Sequence, residues 1–390
     1  MATVKIPDWE YQERIKKAAK LVEEKGLDVL VVNSNEADFA NVRYFSAFWP
    51  LFERAGVAIS AAGDAALMVG PESNVFAADF GKIEKQFVLK VYRESADPSY
   101  PELQADTYPD VFKAIGVTGK NLRIGVASFL DTSVVMMDGL KESFPEAEIV
   151  RADEIMVTLR SIKSENEIAC MKEGFRIVEL ATQEVIEKIK PGVTECQMIG
   201  TAQKVIYENG AEYEGLPMYI FSEKSTSHAI SRSSPFKEIG KNDIVQLNLS
   251  CRIDGYSPSI GMPICMGKLT DERRKYIEFG LESHNWTEAN IKSGVMASDI
   301  AKGFYQFYKE NGYEKNYVYG PCHGTGMIEV EAPWMETDSD YALQPNMTFQ
   351  IDTFLMADTF GLRWEKGIAV TENGCDSLCG PIGKIHELGF

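Results

Sequence analysis

"VQLNLSCRIDGYSPSIGMPI" spans Val245–Ile264 and reads as two strands joined by a turn, each alternating between a buried and a second face. The alternation turns Asn248 and Ser259 inward, eleven positions apart. Two carboxylates in those places would anchor a pair of metal ions, but an amide and a hydroxyl stand there instead. Further on, "NMTFQIDTFLMAD" sets Asp352 in an apolar strand, and "FGLRWEKGIAV" does the same with Glu365. An inward acid flanked by Ile351, Phe354, Trp364 and Ile368 must be paired, metal-bound or shifted in pKa; a solvent-facing position is the plainer alternative.

The chain has four histidines. His284 lies in a charged helical stretch and His386 in the C-terminal tail, so both are expected at the surface. His228 in "STSHAISRSSPF" and His323 in "YGPCHGTGMIEVEAP" sit in loops beside small residues. Glycines let a ligand approach closely, and histidine is the usual acid or base at neutral pH. Cys322, next to His323, is a candidate nucleophile or simply a small core residue. The seven cysteines are an odd number, and Cys375 and Cys379 lack a second pair to complete a zinc site, so reduced thiols are expected.

At 390 residues the chain outgrows a single hydrophobic core. The formal net charge of −18 argues against nucleic acid or an anionic membrane as partner. The start "MATVKIPDWEYQER" has no apolar signal core, and no apolar run reaches bilayer length, so a cytoplasmic location is expected. Residues 1–158 alternate helical and strand-like pieces and read as an α/β domain; "AGVAISAAGDAALMVG" reads as a hairpin turned at "AAGDA". Residues 159–390 read as an α+β domain. It opens with a long amphipathic helix from Ser164, a plausible N-cap with Glu167 as capping-box partner; a second helix starts at Thr194.

The ordered set "ANVRYFSAF", "LRSIKSENEI", the loop of His228, "GKNDIVQLNLS…GYSPS", "HGTG…VEAP", "NMTFQID" and "RWEKGIAVTENG" resembles the two-domain members of the pita-bread family of prolidase, aminopeptidase P, methionine aminopeptidase and creatinase. The resemblance implies a pita-bread catalytic domain. Metal-dependent members hold two divalent ions with Asp, Asp, His, Glu and Glu, places occupied here by Asn248, Ser259, His323, Asp352 and Glu365. Val330 replaces a further family histidine. Asn248 and Ser259 bring no charge, so the expectation is no metal cofactor. The alternative is one Mn, Fe, Co or Zn ion on His323, Asp352 and Glu365.

Creatinase works without metal and also carries an Asn in the first place, so the site pattern is most similar to creatinase. That similarity implies a hydrolase cleaving a C–N bond in a small carboxylate-bearing guanidino, amide or onium compound. His228 would be the general acid/base, with His323, Asp352 and Glu365 as catalytic partners. Phe52, Arg54, Asn248, Ser259, Glu331 and Trp334 would bind substrate, the first two supplied across a homodimer interface. Gly261 and Trp334 stand where creatinase has a glutamate and an arginine, which leaves the substrate open. The runner-up is an Xaa-Pro peptidase, or a lyase on this scaffold, with a reduced metal site; a third reading is a non-catalytic binding module.

Overall fold

The computed structural model describes residues 4–383 and 385–390. A first compact unit runs from Ile6 to Arg160 and a second from Ser161 to Phe390.

The first unit is built on six strands: β1 (Val29–Ser34), β2 (Ala55–Ser60), β3 (Ala65–Val69), β4 (Gln86–Val88), β5 (Arg123–Ala127) and β6 (Glu148–Arg151), in the order β4-β3-β2-β1-β5-β6. The hairpin read at "AAGDA" is the antiparallel β2–β3 pair, with Gly63 at φ +92° in its turn. β1, β5 and β6 run parallel, as helix-linked strands do. Val31, Ile124, Val126, Phe112 and Leu140 join sheet and helices in one core. Phe52 lies just before β2, 75% exposed, and Arg54 Nη1 donates to the Arg93 carbonyl at 3.1 Å.

The second unit holds β7 (Tyr219–Ser222), β8 (Ile244–Ser250), β9 (Ser259–Cys265), β10 (Cys322–Gly324), β11 (Glu331–Met335), β12 (Thr348–Met356), β13 (Gly361–Val370), β14 (Cys375–Ser377) and β15 (His386–Glu387). They form one sheet ordered β11-β10-β12-β13-β9-β8-β7, with β14 beside β13 and β15 beside β9. The stretch Val245–Ile264 is the β8–β9 hairpin, pairing Asn248 with Gly261 and Ser250 with Ser259.

Helices cover one face of this sheet. Glu165–Lys188 starts at a capping box, Ser164 Oγ accepting from Glu167 N at 3.1 Å and Glu167 Oε2 from Ser164 N at 2.7 Å. Thr194 and Gln197 cap Glu195–Glu208 in the same way. A Cβ on Gly174 would sit 2.5 Å from Pro258 Cγ, so glycine is what lets the first helix lie against the hairpin. Asp271–Asn290 packs on β13, where Trp364 Nε1 donates to the Ile277 carbonyl at 3.1 Å. Because side chains alternate along β13, Leu362 and Trp364 face helix while Arg363 and Glu365 face the opposite side.

His284 is not at the surface as its charged surroundings suggested; it is 1% exposed. It follows Ile277 and Gly280 on the buried stripe of its helix, and its Nδ1 lies 3.2 Å from the Trp364 carbonyl. Burial, helped by the positive charge of Lys366 and opposed by the Trp364 hydrogen bond and Glu365, pushes its pKa down to about 3. The folded state therefore favours the neutral ring. That contribution is complete above the ordinary pKa of 6.5 and is lost as the pH falls from there towards 3. The loss reaches about 1.4 kcal/mol per pH unit. His284→Gln is expected to flatten the stability profile between pH 6 and 4 by up to one proton, read from urea unfolding at successive pH values. An unchanged slope would refute the assignment.

Candidate active site

Strand register brings the site together. Tyr219 pairs with Asn248, Asn248 with Gly261, Gly261 with Glu365 and Glu365 with Asp352, one lateral row across β7, β8, β9, β13 and β12. His323 on β10 pairs with Gln350, the inward residue one step along β12 from the row. Gly261 is required in the middle: a Cβ there would lie 2.8 Å from both Asn248 Nδ2 and Glu365 Cβ.

A cavity of about 720 Å³ opens above this row. At its floor, ligand atoms of His323, Glu329 and Glu365 lie within 4.8 Å of one another, all three residues buried. His323 Nδ1–H donates to the Gly324 carbonyl at 2.9 Å, which directs Nε2 to the acids, 3.7 Å from Glu365 and 3.9 Å from Glu329. Burial pulls the imidazole pKa down, but the hydrogen bond to Glu365 and the charges of Glu329 and Asp352 outweigh it and raise it to about 9. Burial also works against ionisation of Glu365, yet His323, Arg363 and a hydrogen bond from Glu329 hold its carboxyl below the usual range. Burial and the charge of Glu365 push Glu329 well above that range. The two acids share one proton, held on Glu329.

The positions that lost their carboxylates support those that remain. Asn248 Nδ2 donates to Glu365 Oε2 at 2.8 Å while its Oδ1 accepts from Gln246. Ser259 Oγ donates to Glu329 Oε1 at 2.8 Å, and Gln350 Nε2 donates to Ser259 Oγ at 2.6 Å. Neither Asn248 nor Ser259 lines the cavity; both sit beneath it.

Asp352 is engaged elsewhere. Its Oδ1 lies 2.9 Å from Arg363 Nε, and its Oδ2 accepts from the Tyr319 hydroxyl at 2.8 Å. Arg363 also donates to Tyr319, Tyr219 and the Ala229 carbonyl. Of the expected ligand set His323, Asp352 and Glu365, the structure groups His323 and Glu365 with Glu329 as side chains that could hold a metal ion, and Asp352 is not in that group among the described residues. Glu331 pairs with Lys163 at 2.8 Å in a buried ion pair, away from the cavity lining. His228 is exposed at the end of the short helix Glu223–Ser227; the next four residues, Ala229–Arg232, line the cavity. Trp334 lines it too, its ring centroid 5.3 Å from that of His323. Cys322 faces the apolar core, where burial raises its thiol pKa far above the thiolate range, so it is no nucleophile.

Residues 169–372 match the family model of metallopeptidase family M24, and residues 14–162 match the creatinase/prolidase N-terminal domain. The chain belongs to metallopeptidase family M24. A relative among curated proteins is an Xaa-Pro dipeptidase of Pyrococcus furiosus, 24% identical over 370 residues, covering 94% of this chain and 97% of the relative. A creatinase from Bacillus sp. (strain B-0618) is 24% identical over 267 residues, 64% of each protein. Among solved structures, the X-Pro aminopeptidase from Thermotoga maritima MSB8 superposes with a TM-score of 0.83 at 20% identity, over 95% of this chain and 99% of the other. The fold is therefore the pita-bread architecture behind an α/β N-terminal domain, and the chain is a hydrolase.

The expectation of a metal-free site is overturned. The family is a metallopeptidase family, and His323, Glu329 and Glu365 supply the ligand types a divalent ion takes. Charge sets the number. A neutral imidazole with two carboxylates offsets one divalent cation, whereas Asn248 and Ser259 add nothing for a second and Asp352 is neutralised by Arg363. The donor set fits one ion. The expectation went astray by counting only inherited carboxylate positions, because Glu329 arrives from a loop.

Proposed function

We propose that the chain is a single-metal peptidase that cleaves small Xaa-Pro-type peptides, with one divalent cation on His323, Glu329 and Glu365. The observation that carries this reading is the buried His–Glu–Glu group at the floor of a cavity otherwise walled largely by apolar residues. The family membership and the Xaa-Pro dipeptidase relative favour it over a guanidino hydrolase.

A divalent cation here supplies Lewis-acid polarisation and a more acidic water. The chain's own residues do the rest. Leu216, Pro217, Val330 and Trp334 form an apolar wall suited to a proline ring. Burial keeps the Tyr219 hydroxyl protonated. That hydroxyl accepts from Arg363, so its own hydrogen is left for the carbonyl oxygen of the scissile bond. With a cation in place Glu329 would be a carboxylate, placed to take a proton from the attacking water and return it to the leaving nitrogen. Arg363, fixed by Asp352 and Tyr319, positions Tyr219.

Metal analysis and hydrolysis of Ala-Pro test the reading together. Protein purified without chelator is expected to retain one equivalent of Mn, Fe, Co or Zn, and to lose Ala-Pro hydrolysis on chelation and regain it on adding the metal. Turnover that survives complete chelation would refute the proposal, and so would a second tightly held equivalent.

A further inference from the structure

The segment Ala229–Ser233 forms an arch over the cavity with both feet tied down. At one foot, Arg363 Nη2 donates to the Ala229 carbonyl at 3.1 Å. At the other, Ser233 Oγ accepts from Ile220 N at 2.7 Å and donates to the Ile220 carbonyl at 2.8 Å. Cys196 Sγ lies 3.3 Å from the Ser233 carbonyl, and the buried carboxylate of Glu195 accepts from Ser234 N at 2.9 Å. Between the feet, Ile230, Ser231 and Arg232 line the cavity; Ile230 is 91% exposed and Arg232 is exposed as well. Nothing in the core holds these side chains, so the anchored arch presents them to whatever enters.

Among the described residues, Arg232 and Arg363 are the arginines that line the cavity, and no lysine does. Arg363 is committed to Asp352, Tyr319, Tyr219 and Ala229. Arg232 has no hydrogen-bond or ion-pair partner among the described residues. On the floor below, Asp352 is paired with Arg363 while Glu329 and Glu365 would balance the cation, so the guanidinium of Arg232 is the cationic group left to meet a substrate carboxylate. A guanidinium on a fixed arch meets a carboxylate with two parallel N–H bonds.

From these observations we infer that Arg232 is the residue that selects substrates with a free carboxylate, binding it at the cavity mouth while Ile230 covers the adjoining apolar part. This rests on the peptidase reading and adds its specificity device: the substrate is a small acid-terminated peptide, and the selecting residue belongs to the same chain as the metal ligands.

The test compares Ala-Pro with Ala-Pro amide on metal-loaded protein. In the wild type the free acid is expected to be the better substrate. In Arg232→Gln the acid-over-amide ratio of kcat/KM is expected to fall about 10–100-fold, mainly through KM for the acid, with Arg232→Lys recovering part of it. An acid preference identical in wild type and Arg232→Gln would overturn the inference. Should neither compound be cleaved, the peptidase reading fails by itself, and calorimetric binding of proline against prolinamide still decides the anchor. Preference for proline that vanishes in Arg232→Gln supports it; equal preference in both proteins overturns it.

Discussion

Glu329→Gln protein is expected to emerge from purification without its cation and with Ala-Pro hydrolysis reduced at least about 100-fold, beyond the 10–100-fold range typical of outer-shell changes. The substitution keeps the shape of the side chain and removes one of the two carboxylates that balance a divalent charge beside His323. The amide oxygen can still accept from Ser259 Oγ, which the carboxylate engages at 2.8 Å, so the fold is expected to persist, as circular dichroism would check. The informative comparison is Asp352→Asn. That change touches an acid whose oxygens face Arg363 Nε at 2.9 Å and the Tyr319 hydroxyl at 2.8 Å rather than the His323 cluster. Equilibrium dialysis with Mn is expected to show retention in Asp352→Asn and loss in Glu329→Gln. The reverse pattern would return Asp352 to the ligand set and remove Glu329 from it.

The contrast between these two acids shows what was readable in the chain beforehand. Period-two alternation turns Asn248 and Ser259 inward, whereas for Asp352 and Glu365 it leaves a solvent-facing position open, and it is the tertiary structure that buries both. Arg363 shares the face of Glu365, two residues before it, but alternation does not name Asp352 on the neighbouring strand as its partner. Glu329 had no such signal. It sits between β10 and β11, where no periodicity applies, and tertiary contacts alone deliver it to the floor. His284 failed for a related reason: charged neighbours mark a helix as amphipathic, but only the partner surface decides which stripe is buried. Cavity walls drawn from an irregular segment, such as Ile230 and Arg232, were likewise beyond sequence pattern.

The segment that delivers Glu329 is pinned at several points. Ser257 N donates to the Gly326 carbonyl at 2.7 Å, and Ser257 Oγ donates to the Met327 carbonyl at 2.7 Å. Beneath it lies the Lys163–Glu331 ion pair at 2.8 Å, with side chains 2% and 6% exposed. Gly326 leaves room for that pair: a Cβ would come within 2.5 Å of Glu331 Oε1 and 2.8 Å of Lys163 Cε. Glu331 Oε2 also accepts from Ile328 N at 3.4 Å, one residue from Glu329. Lys163→Met removes the ammonium and strands a buried carboxylate, which typically costs about 3–5 kcal/mol. For a domain of this size the melting temperature is expected to fall by about 6–20 °C. Adding Glu331→Gln to the same protein removes the stranded charge while keeping the side chain's shape, and is expected to restore most of the loss. Thermal unfolding of the two variants beside wild type provides the measurement. A single variant within about 1 kcal/mol of wild type would show that the pair does not hold the segment. If the single variant is destabilised and also loses bound Mn while the double variant regains it, the ion pair acts on the metal ligands by fixing the loop that carries Glu329.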